Sequence, residues 1–219
     1  MARWATYRGY PCLRMADISD DPGLPLAVFR DSRKHPSPLH THDFWEIVVV
    51  MGGAGDHLTE GGQYRIRAGD AFVLRPHWIH GYRIRGRLSL INVLFDEPML
   101  DAPMADLKTM PGYHALFTLE PLYRLEHGFE TRLRLKRGQL DRVARLIDRL
   151  EEELRSGKPG ALPMAVSWFL QVIVYLSRCY QQARVPRVQT YLKVGRAISY
   201  IERHYAEPIT LAHLAEIAN

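Results

Sequence analysis

Short apolar stretches closed by turn signals fill residues 26 to 95, and this spacing narrows the choice of fold more than any other feature. The stretches are rich in β-branched and aromatic residues, and Gly52-Gly53, Gly61-Gly62 and Gly69-Asp70 mark turns between them. They cover residues 26–31, 44–51, 64–67, 71–75, 79–84 and 88–95. Strands repeated this often predict a β-sandwich or β-barrel. Residues 1–25 are predicted to form an irregular arm before it.

Helical periodicity replaces the strand pattern after Gly138. One apolar stripe recurs at helix spacing, formed by Leu140, Val143, Ile147, Leu150 and Leu154. A second helix is predicted over residues 162–182; it is apolar nearly all round and is therefore expected to be well buried. The chain thus combines strands and helices in succession, an α+β arrangement.

Charge and cysteine content restrict the class of protein without fixing it. The net charge of +5 and the isoelectric point near 9.3 fit a nucleic-acid partner but do not demand one. Cys12 and Cys179 cannot build a zinc ribbon, and two reduced thiols indicate a cytoplasmic protein. The longest apolar stretch, residues 165–176, is shorter than the ~20 residues a bilayer requires, so no membrane partner is expected. Neither a phosphate-binding loop nor a nucleophile elbow is present.

A constellation of imidazoles and one carboxylate is the strongest chemical signal. Side chains two apart in a strand point the same way, so His40, His42 and Glu46 are predicted to share a face, with His80 one hairpin away. Both faces of this strand carry apolar residues, so the polar groups converge on an interior where unpaired charge is costly. Three interpretations stay open: a divalent metal such as Zn, Ni, Fe or Mn, a metal-free lining for an organic ligand, or histidines satisfied within the structure.

Further polar and aromatic residues are candidates for ligand contact on the inner faces. Asn92 interrupts an apolar run, and its amide either bonds neighbouring backbone or contacts ligand. Tyr82 is predicted to lie on the same surface. Trp78 can stack on a sugar ring, or belong to the core.

The last thirty residues have the pattern of a helix-turn-helix that begins and does not continue. Val194, Ala197, Ile198 and Ile201 form one apolar helix face, which Glu207-Pro208 ends. Thr210 can cap a second helix carrying Leu211, Leu214 and Ala215. The alternative is a plain helical hairpin that closes a globular domain.

Two resemblances join these parts. The run Ala197-x2-Tyr200-Ile201-x2-His204-x3-Pro208-Ile209-Thr210-Leu211-x2-Leu214-Ala215 resembles the start of the DNA-binding domain of AraC-family transcription regulators. By that comparison the chain ends after the support helix of the first helix-turn-helix. The pattern at His40, His42, Glu46 and Gly53, followed by Gly69 and His80, resembles the two motifs of the cupin barrel. The second motif departs at Arg75 and His77.

Together these resemblances imply a sugar-responsive AraC-type regulator, closest to the rhamnose-responsive group. The implied organisation is an arm over 1–25, a cupin-like effector barrel over 26–136, a helical dimerisation segment over 138–184, and the start of a DNA-binding domain over 190–219. The stripe from Leu140 to Leu154 would then form a homodimer, or it would pack on the barrel. Implied partners are a small-molecule effector, and promoter DNA for the full-length protein only. The alternative function is a metal-dependent cupin enzyme, a dioxygenase or isomerase that uses the same four ligands.

Overall fold

The computed structural model describes residues 5–19, 24–33, 35–100, 106–127 and 132–219. Strands dominate the first half of the chain and helices the second, as the patterning predicts. Nine strands lie in the described residues: β1 (Ala5–Tyr7), β2 (Tyr10–Leu13), β3 (Leu26–Arg33), β4 (Ser37–His42), β5 (Trp45–Thr59), β6 (Gly62–Arg67), β7 (Asp70–Leu74), β8 (His80–Phe95) and β9 (Leu133–Arg134).

The two long strands, β5 and β8, form the centre of the sheet and pair antiparallel along most of their length. β8 also pairs with β3 and β4, and β5 also pairs with β6 and β7. The side chains of β5 alternate between two apolar layers. Val48 and Val50 face the barrel interior with Phe72 and Leu90, while Ile47 and its odd-numbered neighbours face the helices. The prediction that the strand carrying Glu46 is apolar on both faces is confirmed for β5.

A register shift changes which face the second half of β5 presents. Met51 is an extra residue between the pairs Val50–Leu90 and Gly52–Ser89. Because successive side chains alternate, one extra residue moves the following odd-numbered positions to the interior. Between Leu88 and Ile84, β8 has two more residues than the facing part of β5. Two extra residues leave the alternation unchanged, so the even-numbered side chains of β8 face the barrel interior along the whole strand. His57 therefore faces the barrel interior although Glu46, on the same strand, has the opposite parity.

Three strand predictions need correction. The arm is not irregular, because β1 and β2 form a hairpin and β2 pairs parallel with β4. The two segments predicted over 79–84 and 88–95 are one strand, β8. His42 and Glu46 do not belong to one continuous strand, since β4 ends at His42 and β5 begins at Trp45.

The helices of the described residues are α1 (Met15–Ile18), α2 (Pro111–Tyr113), α3 (Glu120–His127), α4 (Arg137–Ser156), α5 (Ala161–Gln181), α6 (Pro186–His204) and α7 (Leu211–Ile217). Helices α2, α4, α5 and α6 share one apolar core with the outer face of the barrel, whereas α1 packs on β3, α3 contacts β7 and α7 contacts α6. A π-helical stretch, His114–Leu119, connects α2 to α3 without a break. The predicted cap of α7 is confirmed, because the Thr210 hydroxyl accepts a hydrogen bond from the His213 amide at 3.2 Å.

The apolar stripe of α4 lies inside the protomer. Val143, Ile147 and Leu150 are fully buried against the barrel and α5, and Leu140 and Leu154 are partly buried beside them. Of the two interpretations offered for the stripe, the structure supports packing on the barrel. Val143, Ile147 and Leu150 have no accessible surface, so their assignment to a dimer interface is not supported by this packing. Leu140 and Leu154 keep some exposed surface, and their assignment stays a prediction.

The following helix, α5, exposes part of an apolar surface. Its inner side is buried, but Leu162 and Met164 are 39% and 47% exposed, so burial on all sides is not what the structure has. Judged by length and hydropathy alone, Ala161–Gln181 is the single described helix that could cross a membrane, and 39% of its apolar window is buried in the chain.

Residues 111–127, here called the bridging segment, are held between α5 and α6 by close backbone approaches. A Cβ on Gly112 would lie 2.1 Å from the Ser177 carbonyl oxygen, and one on Gly195 of α6 would lie 2.6 Å from that of Pro111. Side chains at these positions would require backbone to move. The first half of α6 thus belongs to the same core as the outer face of the barrel, with Val188, Tyr191 and Leu192 buried in it.

This contact predicts that Gly195→Ala destabilises the fold. Forcing a methyl group against the Pro111 carbonyl is expected to lower the free energy of unfolding by about 2 kcal/mol. Gly138→Ala is the matched control, because a Cβ there would meet nothing within 4 Å. The control is expected to be neutral or to stabilise by about 0.5 kcal/mol. Urea unfolding of both variants measures the difference, and equal stabilities would contradict the close approach.

Candidate metal and effector site

Three side chains from three strands or their ends meet at one end of the barrel interior. His42 lies at the end of β4, Glu46 near the start of β5, and His80 at the start of β8. Glu46 Oε2 is 3.2 Å from His42 Nε2 and 3.8 Å from His80 Nε2. One ligand atom from each residue lies within 4.8 Å of the others, and all three residues are buried. The predicted convergence of these three residues in the interior is what the structure has.

Backbone carbonyls orient the imidazoles of this cluster. His42 Nδ1 is 2.7 Å from the Phe44 carbonyl oxygen, and His80 Nδ1 is 3.3 Å from that of Trp78. A carbonyl can only accept, so each neutral ring carries its proton on Nδ1 and turns the Nε2 lone pair inward. In the part of the chain that the structure describes, neither Nε2 has a hydrogen-bond partner of good geometry. Two oriented imidazole lone pairs and a carboxylate form a donor set that fits a divalent cation.

His40 lies beside this cluster rather than in it. Its ring centroid is 4.3 Å from that of His80, and its Nδ1 is 2.9 Å from the Pro38 carbonyl oxygen. The side chain is only partly buried, and no atom of it joins the group of mutually close ligand atoms. The structure therefore brings together three of the four predicted ligands and leaves His40 at the rim.

His57 is an interior residue that the sequence interpretation missed. Its centroid lies 5.9 Å from that of His80 and 5.3 Å from that of Tyr82, and it is fully buried. Burial, then the charges of Arg124 and His40, lower its pKa well below the usual 6.5. Burial likewise lowers the pKa of His80, with His40, His42 and His57 adding to the effect. The signal that reveals His57 is the extra residue at Met51, which changes the parity of the strand and cannot be read from alternation alone.

The lowered pKa of His57 predicts a loss of stability in acid. The unfolded imidazole gains a proton near pH 6.5, whereas the folded one stays neutral to much lower pH. Below about pH 6.5 the unfolded chain binds more protons, so the free energy of unfolding falls as pH falls, by up to about 1.4 kcal/mol per pH unit for each such histidine. His57→Gln is expected to remove one histidine's share of this slope. Urea unfolding between about pH 7 and 5 measures it, with His213→Gln on exposed α7 as control; a slope that His57→Gln leaves unchanged would contradict the assignment.

Of the three candidate effector residues, Trp78 and Tyr82 lie beside His80, and Asn92 lies opposite Val48 in the sheet. Tyr82 and Asn92 face the interior and are 3% and 7% exposed, and Trp78 is partly buried in the loop before β8. Among the described residues no hydrogen-bond donor reaches Asn92 Oδ1, so the interpretation that the amide bonds neighbouring backbone is not supported for this atom. A cavity of about 20 Å³ lies between Trp78, His80 and Arg124. It has room for one water molecule, so a sugar requires this end of the barrel to open.

The N-terminal hairpin of β1 and β2 sits against the same end of the barrel. Leu13 of β2 pairs with His42, the Tyr7 ring stacks on His77 at 4.7 Å, and Arg8 forms an ion pair with Glu60 at 3.4 Å. His77 adopts a φ of 65°, which is uncommon for a residue with a side chain. The hairpin is therefore held at the rim by the short pairing of β2 with β4 and by a few exposed side chains.

Known proteins match this chain over most of its length. The family model described as AraC-like ligand binding domain matches residues 25–163. "HTH-type transcriptional activator RhaS" from Enterobacter sp. (strain 638) is 26% identical over 200 residues, covering 91% of this chain and 65% of that protein. The protein of the same name from Salmonella schwarzengrund (strain CVM19633) is 28% identical over 203 residues, covering 92% and 65%. The chain thus spans slightly less than two thirds of these relatives.

Solved structures overlap a smaller part. A cupin-2 domain containing protein from Shewanella frigidimarina NCIMB 400 covers 32% of this chain and 69% of its own, with 16% identity and a TM-score of 0.30. KdgF from Halomonas sp. covers 34% and 73%, with 25% identity and a TM-score of 0.31. These overlaps are too partial to support any conclusion about function. The family match and the strand order confirm the predicted cupin-type jelly roll followed by helices, and the chain belongs to the AraC family, with its barrel as the ligand-binding domain.

Proposed function

We propose that this chain is the effector-sensing part of a DNA-binding transcription regulator in the cytoplasm, and that it responds to a sugar or another small polar metabolite. The observation that carries the proposal is a ligand-binding domain whose interior end gathers His42, Glu46 and His80, on a chain that continues into a capped helical hairpin. A buried polar cluster with lone pairs directed inward requires partners, and a hydroxylated ligand or a metal supplies them.

A divalent metal is part of this proposal. Nε2 of His42, Nε2 of His80 and the Glu46 carboxylate would hold it, and imidazole with carboxylate suits Zn, Ni, Fe or Mn. When bound, such an ion supplies a Lewis-acidic position for a hydroxyl or carboxylate oxygen. Trp78 lines the cavity beside His80, and Tyr82 and Asn92 face the barrel interior, so these three residues are the ones proposed to orient the effector.

Effector entry is proposed to depend on the N-terminal hairpin. The cavity beside His80 holds about one water, so binding needs the hairpin or the loop at Trp78 to move. Besides the short parallel pairing of β2 with β4, the contacts that hold the hairpin are a stacked ring pair and a largely exposed ion pair, which contribute little each. A ligand that binds the open form better than the closed one shifts the population towards it.

The tail is proposed as the start of the DNA-binding domain. Thr210 caps α7, whose Leu211, Leu214 and Ala215 follow helix spacing, and Leu211 is 87% exposed. Promoter DNA is proposed as a partner of the full-length regulator, which reads sequence with a further helix. For the chain as described, attraction to DNA would come from its net positive charge, and such attraction is salt-sensitive and non-specific.

Homodimer formation is proposed to use the outer side of α5 instead of the buried α4 stripe. Met164 is exposed, and Trp168 and Tyr175 follow on the same side and are partly exposed. Trp168 also borders an open groove with charged residues of α4 such as Arg145 and Glu152. Aromatic residues with a polar rim are typical of association surfaces, and a second copy of this chain is the occupant we propose.

A binding screen on the chain tests the sensing function. Free pentoses, hexoses, deoxyhexoses and sugar acids are each added at millimolar concentration, and the unfolding temperature is measured. A ligand at about 100 times its Kd is expected to add about 2.7 kcal/mol of stability, and Asn92→Ala is expected to weaken that gain. Turnover of a bound compound with added Fe(II) would favour the alternative, a metal-dependent cupin enzyme. Failure of every metabolite to bind, with and without metal, would contradict sensing by this domain.

A further inference from the structure

A buried ion pair on the bridging segment reaches the wall of the sensor site. Arg124 of α3 is 2% exposed and Glu120, one turn earlier, is fully buried. The Arg124 guanidinium donates Nε to Glu120 Oε1 at 3.1 Å and Nη2 to the Val73 carbonyl oxygen at 2.8 Å. It also lies over the Phe72 ring at 5.3 Å. Three contacts on one rigid, planar group fix its position with respect to both α3 and β7.

Packed rings connect this guanidinium with the histidine cluster. Phe72 lies 5.0 Å from His57, and His57 lies 5.9 Å from His80, measured between ring centroids. Arg124 also borders the one-water cavity directly, together with His80 and Trp78. Because that cavity has room for only one water, a ligand entering here or a shift of the His80 ring must displace Arg124 or its neighbours.

The other side of the bridging segment contacts α6. The Tyr123 ring, next to Arg124 in sequence, meets the Tyr191 ring of α6 edge to face at 5.2 Å. At the start of the segment the Pro111 carbonyl lies against Gly195 of α6 with no space for a Cβ. α6 in turn holds α7, since Arg196 Nε donates to the Ile217 carbonyl oxygen at 3.3 Å. One short segment therefore touches the sensor site, α6 and, through α6, the predicted support helix.

We propose that Arg124 and Glu120 transmit the state of the histidine site to α6 through the Tyr123–Tyr191 contact. The proposal rests on the sensing function proposed above and adds the route by which occupancy reaches the DNA-binding part. A displaced guanidinium pulls on Glu120 because the pair is buried and cannot exchange its partner for water. The turn of α3 that carries both residues then shifts, and the Tyr123 ring changes the packing of α6.

Hydrogen–deuterium exchange of α6 amides in the whole chain tests this coupling, with Zn²⁺ as the probe. Zinc is expected to slow exchange in β4, β5 and β8 and, about fivefold, in α6. Tyr123→Ala removes the ring contact at a position that is 41% exposed, so the fold should persist. In this variant the barrel strands should remain protected by zinc and α6 should lose its protection. Arg142→Gln, which removes a ring contact with Tyr175 elsewhere, is the control and should behave as wild type.

A second variant addresses Arg124 itself. Removing both charges together, Glu120→Met with Arg124→Met, avoids an unpaired buried ion and should keep the fold. This variant should also bind zinc in the barrel without protecting α6. Protection of α6 that survives in Tyr123→Ala and in the double variant would overturn the proposal. So would a wild-type chain whose barrel responds to zinc while α6 does not.

If zinc slows amide exchange in none of the barrel strands, the result counts against the metal site alone. A comparison without metal then tests the coupling between the histidine site and α6. Trp78→Ala enlarges the cavity beside Arg124. It is expected to speed α6 exchange about fivefold in an otherwise unchanged chain, and to have no effect on α6 when Tyr123→Ala is also present. Equal α6 exchange with and without Trp78→Ala would overturn the proposal.

Discussion

Ile147→Glu is expected to prevent the chain from folding. Ile147 has no accessible surface and packs between the barrel and α5. A carboxylate at this position would be buried without a partner, at a cost of about 4 kcal/mol or more, which approaches the whole stability of an ordinary domain. Circular dichroism and urea unfolding of the purified variant measure the outcome, which we expect to be an aggregated or largely unfolded chain.

Met164→Glu is the matched change on the neighbouring helix. Met164 is 47% exposed, so the new charge stays in water and the fold should persist. If the outer side of α5 forms the proposed homodimer, this variant should run as a monomer by light scattering while the wild type runs as a dimer. A folded Ile147→Glu chain that has become monomeric would instead return the α4 stripe to the interface and contradict the packing described here.

Glu46→Gln and His80→Ala are each expected to weaken binding of a divalent metal at least about 100-fold. Removing the carboxylate charge or an imidazole leaves two of the three converging donors, and altering the surroundings of a ligand already costs about 10–100-fold. Isothermal titration with Zn²⁺ or Ni²⁺, on protein purified without a histidine tag, measures the affinity. Circular dichroism confirms that each variant is folded.

Two control variants separate ligands from neighbours. His57→Gln removes an imidazole that is as deeply buried as His80 but lies outside the group of close ligand atoms, so affinity should change less than about tenfold. His40→Ala distinguishes a three-residue site from the four-residue set that the cupin motif implies. If His40→Ala lowers the metal affinity as much as His80→Ala does, the rim histidine closes over the ion when the ion binds.

Strong local patterns made much of this architecture predictable. The apolar runs and their flanking turn residues set the positions of β3, β6 and β7 closely. The prediction for β5 was wrong at its end, because the strand continues to Thr59 through Gly52-Gly53, which was predicted to be a turn. The apolar stripe predicted the position of α4, and the capping residue Thr210 predicted the start of α7, because both signals are local in the sequence. The convergence of His42, Glu46 and His80 followed from the motif resemblance, since the two histidines lie on strands far apart in sequence.

The failures all concern information that is not local. Which side of α4 meets the barrel and which meets solvent depends on α5, so Ile147 could be assigned to either surface from its spacing. His57 was missed because a single extra residue at Met51 reverses the parity of β5, and a bulge is set by the partner strand. The ion pair of Arg124 with Glu120 and the approach of Gly195 to Pro111 connect elements through the folded core, where no sequence period applies.

Anomalous diffraction from crystals grown with Zn²⁺ or Ni²⁺ tests the central claim most directly, namely that the interior end of this sensor barrel is a ligand site built by His42, Glu46 and His80. The account predicts one peak about 2.0–2.3 Å from Nε2 of both histidines and from a Glu46 oxygen. Full-occupancy metal elsewhere, or an empty cluster in which His42 and His80 hydrogen-bond only to the protein, would contradict it.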